Sequence, residues 1–209
     1  MKRVSLVIFL LLTSIFALPL KNGEHFVAPI PFGNGTVTMN FHTGLVPGYG
    51  WYSSVGSQEY NKPAVDSRLE GELIIPDAVT YLGINMEVLW ISRGSFQSCP
   101  KLTKIHLPAK VKSISDLSFQ GCSSLREITI PVCCEVIYPR AFIGCTALRR
   151  VTFLSDLPPK SYNNDTFDEV TYSTATLVVP AQSSEEYLIN PISYRFRFHA
   201  ETLPIYKDN

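Results

Sequence analysis

The chain has 209 residues, 45% of them apolar and 17% charged, with 18 Lys and Arg against 18 Asp and Glu. That apolar content argues against a disordered chain, and the even charge lacks the clustered basic excess that nucleic-acid binding calls for. The length suits one elongated body.

Met1-Lys2-Arg3 followed by the apolar run Val4–Phe16 reads as a secretory signal peptide over 1–17, with Ala17 the last residue removed. The competing reading is an uncleaved anchor, although Val4–Leu20 sits at the short limit for a membrane span. No cysteine follows the run and no second stretch reaches spanning length. Cleavage removes Lys2 and Arg3, which leaves 16 basic against 18 acidic residues. The expected location is secreted, periplasmic or cell surface, with no stable membrane insertion after cleavage.

Residues 18–70 are rich in Gly, Pro and aromatics. Gly33-Asn34-Gly35 followed by alternating Val37, Met39 and Phe41 predicts a hairpin with one buried face. Tyr49, Trp51 and Tyr52 fall in a Gly-rich loop. Such rings make a stacking platform for sugars or a hot spot for a protein partner; the alternative is that they pack on their own sheet.

From Val88 to Phe153 the chain repeats every 23 residues. Phe96/Phe119/Phe142, Cys99/Cys122/Cys145, Leu102/Leu125/Leu148, Ile105/Ile128/Val151 and Ile91/Ile114/Ile137 form five columns in one register. A fixed period of this size is the mark of a solenoid, in which each unit buries its apolar edge against the next. Within the unit, Leu102–Pro108 and Leu125–Pro131 read as strands ended by proline, which lacks the ladder donor. Val88, Val111 and Cys134 precede the buried isoleucines by three residues. A Ser-Phe or Ala-Phe corner follows, and Ser98, Gly121 and Gly144 allow a tight turn before the cysteine. The open first coil needs a cover, and 18–70 is expected to supply it as an N-terminal β cap.

The pattern Ile-x-Ile-Pro, Val-x-x-Ile, Ala-Phe, Gly-Cys, Leu-x-x-Ile resembles the BspA-type leucine-rich repeat of bacterial surface proteins, notably those of Bacteroides relatives. Ile75–Tyr81, Leu82–Asn85 and Val88 are similar to the family's opening unit, in which a small hairpin precedes the first Val-x-x-Ile. Asp156–Pro159, Phe167, Ala175–Ala181 and Glu186-Tyr187 are similar to its closing unit. The resemblance covers roughly 71–200 and departs at Cys133-Cys134, where a polar residue and Val are usual. It implies a leucine-rich-repeat solenoid, a short right-handed superhelix, strand-rich with little regular helix and closed by a C-terminal capping unit. The repeats are expected over 71–154, with the last repeat and cap over 155–209. It also implies a role in adhesion or protein binding.

Secretion makes disulfides possible, but side chains stacked in one column point in parallel, so Cys99, Cys122 and Cys145 are expected as buried reduced thiols. Cys134 falls in a core column and Cys133 outward. An odd count leaves at least one thiol unpaired within the chain. Trp90, next to a buried isoleucine, is expected to pack on the Gly83–Met86 hairpin, the alternative being a contact with a partner.

The outward strand columns are Thr103/Arg126/Arg149, Lys104/Glu127/Arg150 and His106/Thr129/Thr152. Lys104, His106, Arg126, Arg149 and Arg150 are therefore the candidate partner-binding residues, on a slightly basic strip suited to an acidic extracellular protein or an anionic glycan. The alternative is that Glu127 is neutralised within its own ladder. His25, His42, His106 and His199 lie far apart, and no nucleophile elbow, phosphate loop or metal-ligand spacing occurs. No catalysis and no cofactor are expected. Three function classes follow: a protein-binding or adhesion module, a carbohydrate-binding accessory protein using Tyr49, Trp51 and Tyr52, and a hydrolase with a site between 18–70 and the first coil.

At the carboxyl end, Leu177–Pro180 reads as a last strand and Ser183–Glu186 as a capped helix start. Alternating Arg195-Phe196-Arg197-Phe198 should seal the terminal coil with its phenylalanines while the arginines face water.

Overall fold

The computed structural model describes residues 20–56, 63–162, 165–196 and 200–203. The leader read over 1–17 and the pair Arg197 and Phe198 lie outside the described residues.

The chain begins with an antiparallel meander of β1 (His25–Phe32), β2 (Gly35–Val46) and β3 (Gly50–Val55). The turn between β1 and β2 has two residues, and Gly33 takes φ +55° there. Met39 and Phe41 are fully buried on one face, as their alternation predicts. Pro29 and Pro31 lie on β1, which pairs with β2. Proline cannot donate to a further strand, so the outer edge of this sheet is blunted.

After β4 (Gly71–Ile74) comes a hairpin of β5 (Ala78–Tyr81) and β6 (Ile84–Ile91), whose turn residues Leu82 and Gly83 both have positive φ. This is the opening hairpin that the resemblance implies. The repeats then alternate between two walls. β7 (Leu102–His106), β9 (Glu127–Ile130) and β11 (Arg150–Phe153) form one wall, and the two-residue strands β8 (Ser113–Ile114) and β10 (Val136–Ile137) belong to the other. A six-residue helix α1 (Glu169–Thr174), β12 (Thr176–Pro180), a 3-10 turn (Ala181–Ser183), α2 (Ser184–Ile189) and β13 (Ala200–Leu203) complete the described chain.

Two sheets result. One is parallel throughout in the order β4, β7, β9, β11, β12, β13. The other runs β1, β2, β3, β6, β8, β10, so the meander continues the solenoid wall through a parallel β3/β6 pair. The N-terminal region therefore extends a repeat sheet instead of stacking as a separate layer.

The core is the set of 23-residue columns. Phe96, Phe119, Phe142 and Phe167 stack at centroid spacings of 5.2, 5.0 and 5.1 Å, the first three within 8° of parallel. The stack ends where Tyr172 and Phe196 meet Phe167 edge-on. Offset-parallel and edge-on contacts are the favoured aromatic geometries, worth about 0.5–1.5 kcal/mol per pair beyond burial. Cys99, Cys122 and Cys145 are buried free thiols, as expected. Beyond filling space, Cys122 Sγ donates to the Phe96 carbonyl and Cys145 Sγ to the Phe119 carbonyl, each at 3.2 Å, so these two thiols tie their coils to the one before.

Three local expectations are corrected. Ser183 precedes α2, yet its hydroxyl reaches Asp156 at 3.5 Å instead of a helix amide. Arg195, expected to face water, is largely covered, paired with Glu169 and 4.4 Å over the Tyr172 ring. The face of α1 captures a side chain whose alternation pointed to solvent. Trp90 has Tyr52 as its ring partner, at 4.1 Å, because β3 runs beside β6 and pairs Ser54 with Trp90.

Candidate binding groove

The parallel register of β7, β9 and β11 sets Lys104 beside Glu127 and Glu127 beside Arg150, with Thr129 beside Thr152. Their alternate residues Ile105, Ile128 and Val151 are buried, so these polar side chains project from the opposite face. Above them lies a groove of about 630 Å³. Its basic groups are Lys104, His106, Lys110 and Arg150, and Glu127 is its carboxylate. The turn Pro131-Val132-Cys133 forms one wall, with Leu107 and Leu154 adding apolar surface. Val132 is 61% exposed and Leu154 39%.

The charges are arranged in pairs. Lys104 Nζ lies 2.7 Å from Glu127, which holds the ammonium above its ordinary range. His106 Nε2 pairs with Glu72 of the neighbouring β4, and that contact lowers the Glu72 carboxyl. Lys110 pairs with Glu87, whose carboxyl it holds low together with the hydroxyl of Tyr49. All these pairs are solvent-accessible, where water and salt screen the attraction. An incoming carboxylate can therefore exchange for a resident one at little cost.

Of the five basic candidates, Lys104, His106 and Arg150 line the groove together. Arg126 and Arg149 stand one residue ahead of β9 and β11 and do not line it. Arg149 folds back to donate to the carbonyls of Thr146 and Leu148, each at 3.0 Å. Lys110, Val132 and Cys133 also line the groove, although they lie outside the outward strand columns. Their position follows the strand-ending prolines, so the turn's direction and not its period sets them on the groove wall.

Of the three loop aromatics, the pleat divides Trp51 from Tyr52. Trp51 is partly buried and packs against the core, Tyr52 covers Gly44 and meets Trp90, and Tyr49 is 52% exposed in the turn before β3. A Cβ on Gly44 would fall 1.8 Å from the Tyr52 ring, so glycine there is what admits the tyrosine. Trp51 and Tyr52 thus point to opposite faces of β3. Among the described residues no group of three or more His, Cys, Asp or Glu is placed to hold a metal. None of their helices is long and apolar enough to cross a membrane.

Six copies of the BspA type leucine rich repeat region match the chain over residues 76–186, more than half its length. The chain belongs to the BspA-type leucine-rich repeat family. Among solved structures, it is similar to a leucine-rich repeat protein from Bacteroides ovatus ATCC 8483, at 25% identity and a TM-score of 0.45. That match covers 67% of this chain and 36% of the other. No curated protein matches. In this BspA-type protein the groove lies over the strands β7, β9 and β11, so its polar lining is drawn from the outward positions between buried core residues.

Proposed function

We propose that the protein is a non-catalytic binding module that acts outside the cytoplasm, secreted, periplasmic or on the cell surface, and that it holds an acidic segment of an extracellular protein in the groove over β7, β9 and β11. The observation that carries this reading is the groove itself: about 630 Å³, with Lys104, His106, Lys110 and Arg150 around an apolar wall of Leu107, Val132 and Leu154. Basic groups at the rim favour carboxylates and steer their approach, while the apolar wall offers area to bury beside them. The family of repeat-built surface proteins fits such a role, although fold alone does not assign it.

The experiment is a binding screen of the purified protein against extracellular-matrix proteins and acidic peptides at low and physiological salt. Lys104→Glu combined with Arg150→Glu removes binding on this reading, whereas Arg126→Glu combined with Arg149→Glu weakens it only slightly. Affinity that is unchanged in the first variant overturns the assignment of this groove.

A further inference from the structure

A second surface, on the other side of the solenoid, has the chemistry of a sugar site. Residues 160–162 run alongside β10, with Val136 bridged to Lys160 and the Ile137 amide donating to the Lys160 carbonyl at 3.0 Å. This brings Tyr162 beside Tyr138, with ring centroids 5.7 Å apart and planes at 34°. Both rings meet solvent: Tyr138 is 38% exposed and Tyr162 65%. One and two repeats earlier, Ser115 and Ser92 occupy the Tyr138 column, so the paired rings are a departure from the repeat and not its rule.

Tyr138 also lines a cleft of about 310 Å³ with Leu117 and Pro139. Four charged side chains complete it, and they are matched. Arg93 pairs with Asp116, 23 residues on, and Arg140 Nε donates to Asp165 Oδ2 at 3.1 Å. Two guanidinium groups and two carboxylates carry no net charge, so the cleft favours neither an anion nor a cation. What it offers is donors and acceptors in alternation beside exposed aromatic faces. Hydroxyl groups both donate and accept, so a vicinal diol fits a guanidinium and a carboxylate set side by side. The apolar C–H face of a pyranose ring fits a tyrosine ring, and a few convergent polar groups fix its orientation.

We infer that the Tyr138/Tyr162 pair and the adjoining Arg93, Asp116, Arg140 and Asp165 form a binding site for a neutral saccharide. It is separate from the groove and does not depend on the function proposed for that groove. It also differs from the loop 49–52, which belongs to the N-terminal meander.

The test probes an array of neutral oligosaccharides ending in glucose, galactose, mannose or N-acetylglucosamine with the purified protein. Hits are followed by calorimetry with the soluble sugar. Binding is expected to persist from low salt to about 0.5 M, since no net charge is involved. Tyr138→Ala and Tyr162→Ala should each weaken it by roughly tenfold or more. Tyr138→Phe retains the stacking face and should retain binding, as should the groove variant Lys104→Glu with Arg150→Glu. Melting curves establish that each variant is folded; Tyr162 is exposed enough that its removal leaves the core intact. Silence on the neutral array overturns the inference, as does binding undiminished by both alanine variants, binding lost with salt, or a hit confined to peptides.

Discussion

Gly144 lies so close to Gly121 that a Cβ added to it would meet the Gly121 nitrogen at 2.9 Å and its Cα at 3.0 Å. The two are one repeat apart, both with positive φ, in a column whose first member is Ser98 at φ +57°. Gly144→Ala must therefore both strain its own backbone, by about 1–2 kcal/mol, and push two coils apart. Gly121→Ala incurs the backbone strain alone, because its nearest neighbour, Ser98, is 3.7 Å away. The opposite change, Ser98→Gly, should raise stability by about 0.5–1 kcal/mol, the strain relieved less the added freedom of the unfolded chain. Urea midpoints for the three variants check the order.

Phe119 has a stacked neighbour on each side, Phe96 and Phe142. Phe119→Ala leaves a ring-sized gap in the middle of the ladder and should cost about 3–5 kcal/mol. Equilibrium denaturation measures the loss.

All five cysteines lie among the described residues, and Cys133 alone is exposed. Burial pushes the Cys99 thiol up to about 11 and those of Cys122 and Cys134 up to about 12, which suppresses the reactive thiolate. A chromogenic disulfide reagent at neutral pH should find one fast thiol in the native protein and five in denaturant. Cys133→Ser should abolish the fast phase. Because Cys133 lines the groove, a label placed there also reports when the groove is filled.

His42 is buried and sits with Nδ1 3.1 Å from the Gly56 carbonyl, and burial lowers its pKa below the ordinary 6.5. In the unfolded chain this ring takes up a proton as pH falls through 6.5, while the folded chain resists until lower pH. The unfolded state then binds more protons, so stability is lost on acidification through that window and regained above it. Melting temperatures between pH 5 and pH 8 should show this slope, and His42→Gln should flatten it.

The repeat core was readable because each buried residue recurs at a constant interval, and a column needs no knowledge of direction to be recognised. The strands, their proline ends, the reduced cysteines and the turn at Ser98, Gly121 and Gly144 follow from that interval, whereas the positive φ of Leu117 and Arg140 does not show in their residue types. Direction is what a period does not carry. Arg126 and Arg149 share a column, yet they precede their strands and so fall away from the groove that Lys104 and Arg150 line. Outside the periodic stretch, partners come from the tertiary path: Tyr52 reaches Trp90 only because β3 joins β6, and Arg195 settles on Tyr172 only because α1 passes over it. The Tyr138/Tyr162 pair was hidden for the same reason, since it lies between a repeat and the irregular segment that closes it.

Constant register has an evolutionary consequence. Every ladder contact in the middle of the molecule joins a residue to its counterpart 23 positions away, as in Phe96 to Phe119 and Lys104 to Glu127. Excising or duplicating one such unit would restore each column on the two sides of the cut, whereas any other length would set large side chains against turns. The molecule can thus change size in whole steps by unequal recombination, lengthening the sheet that carries its groove while both ends stay as they are.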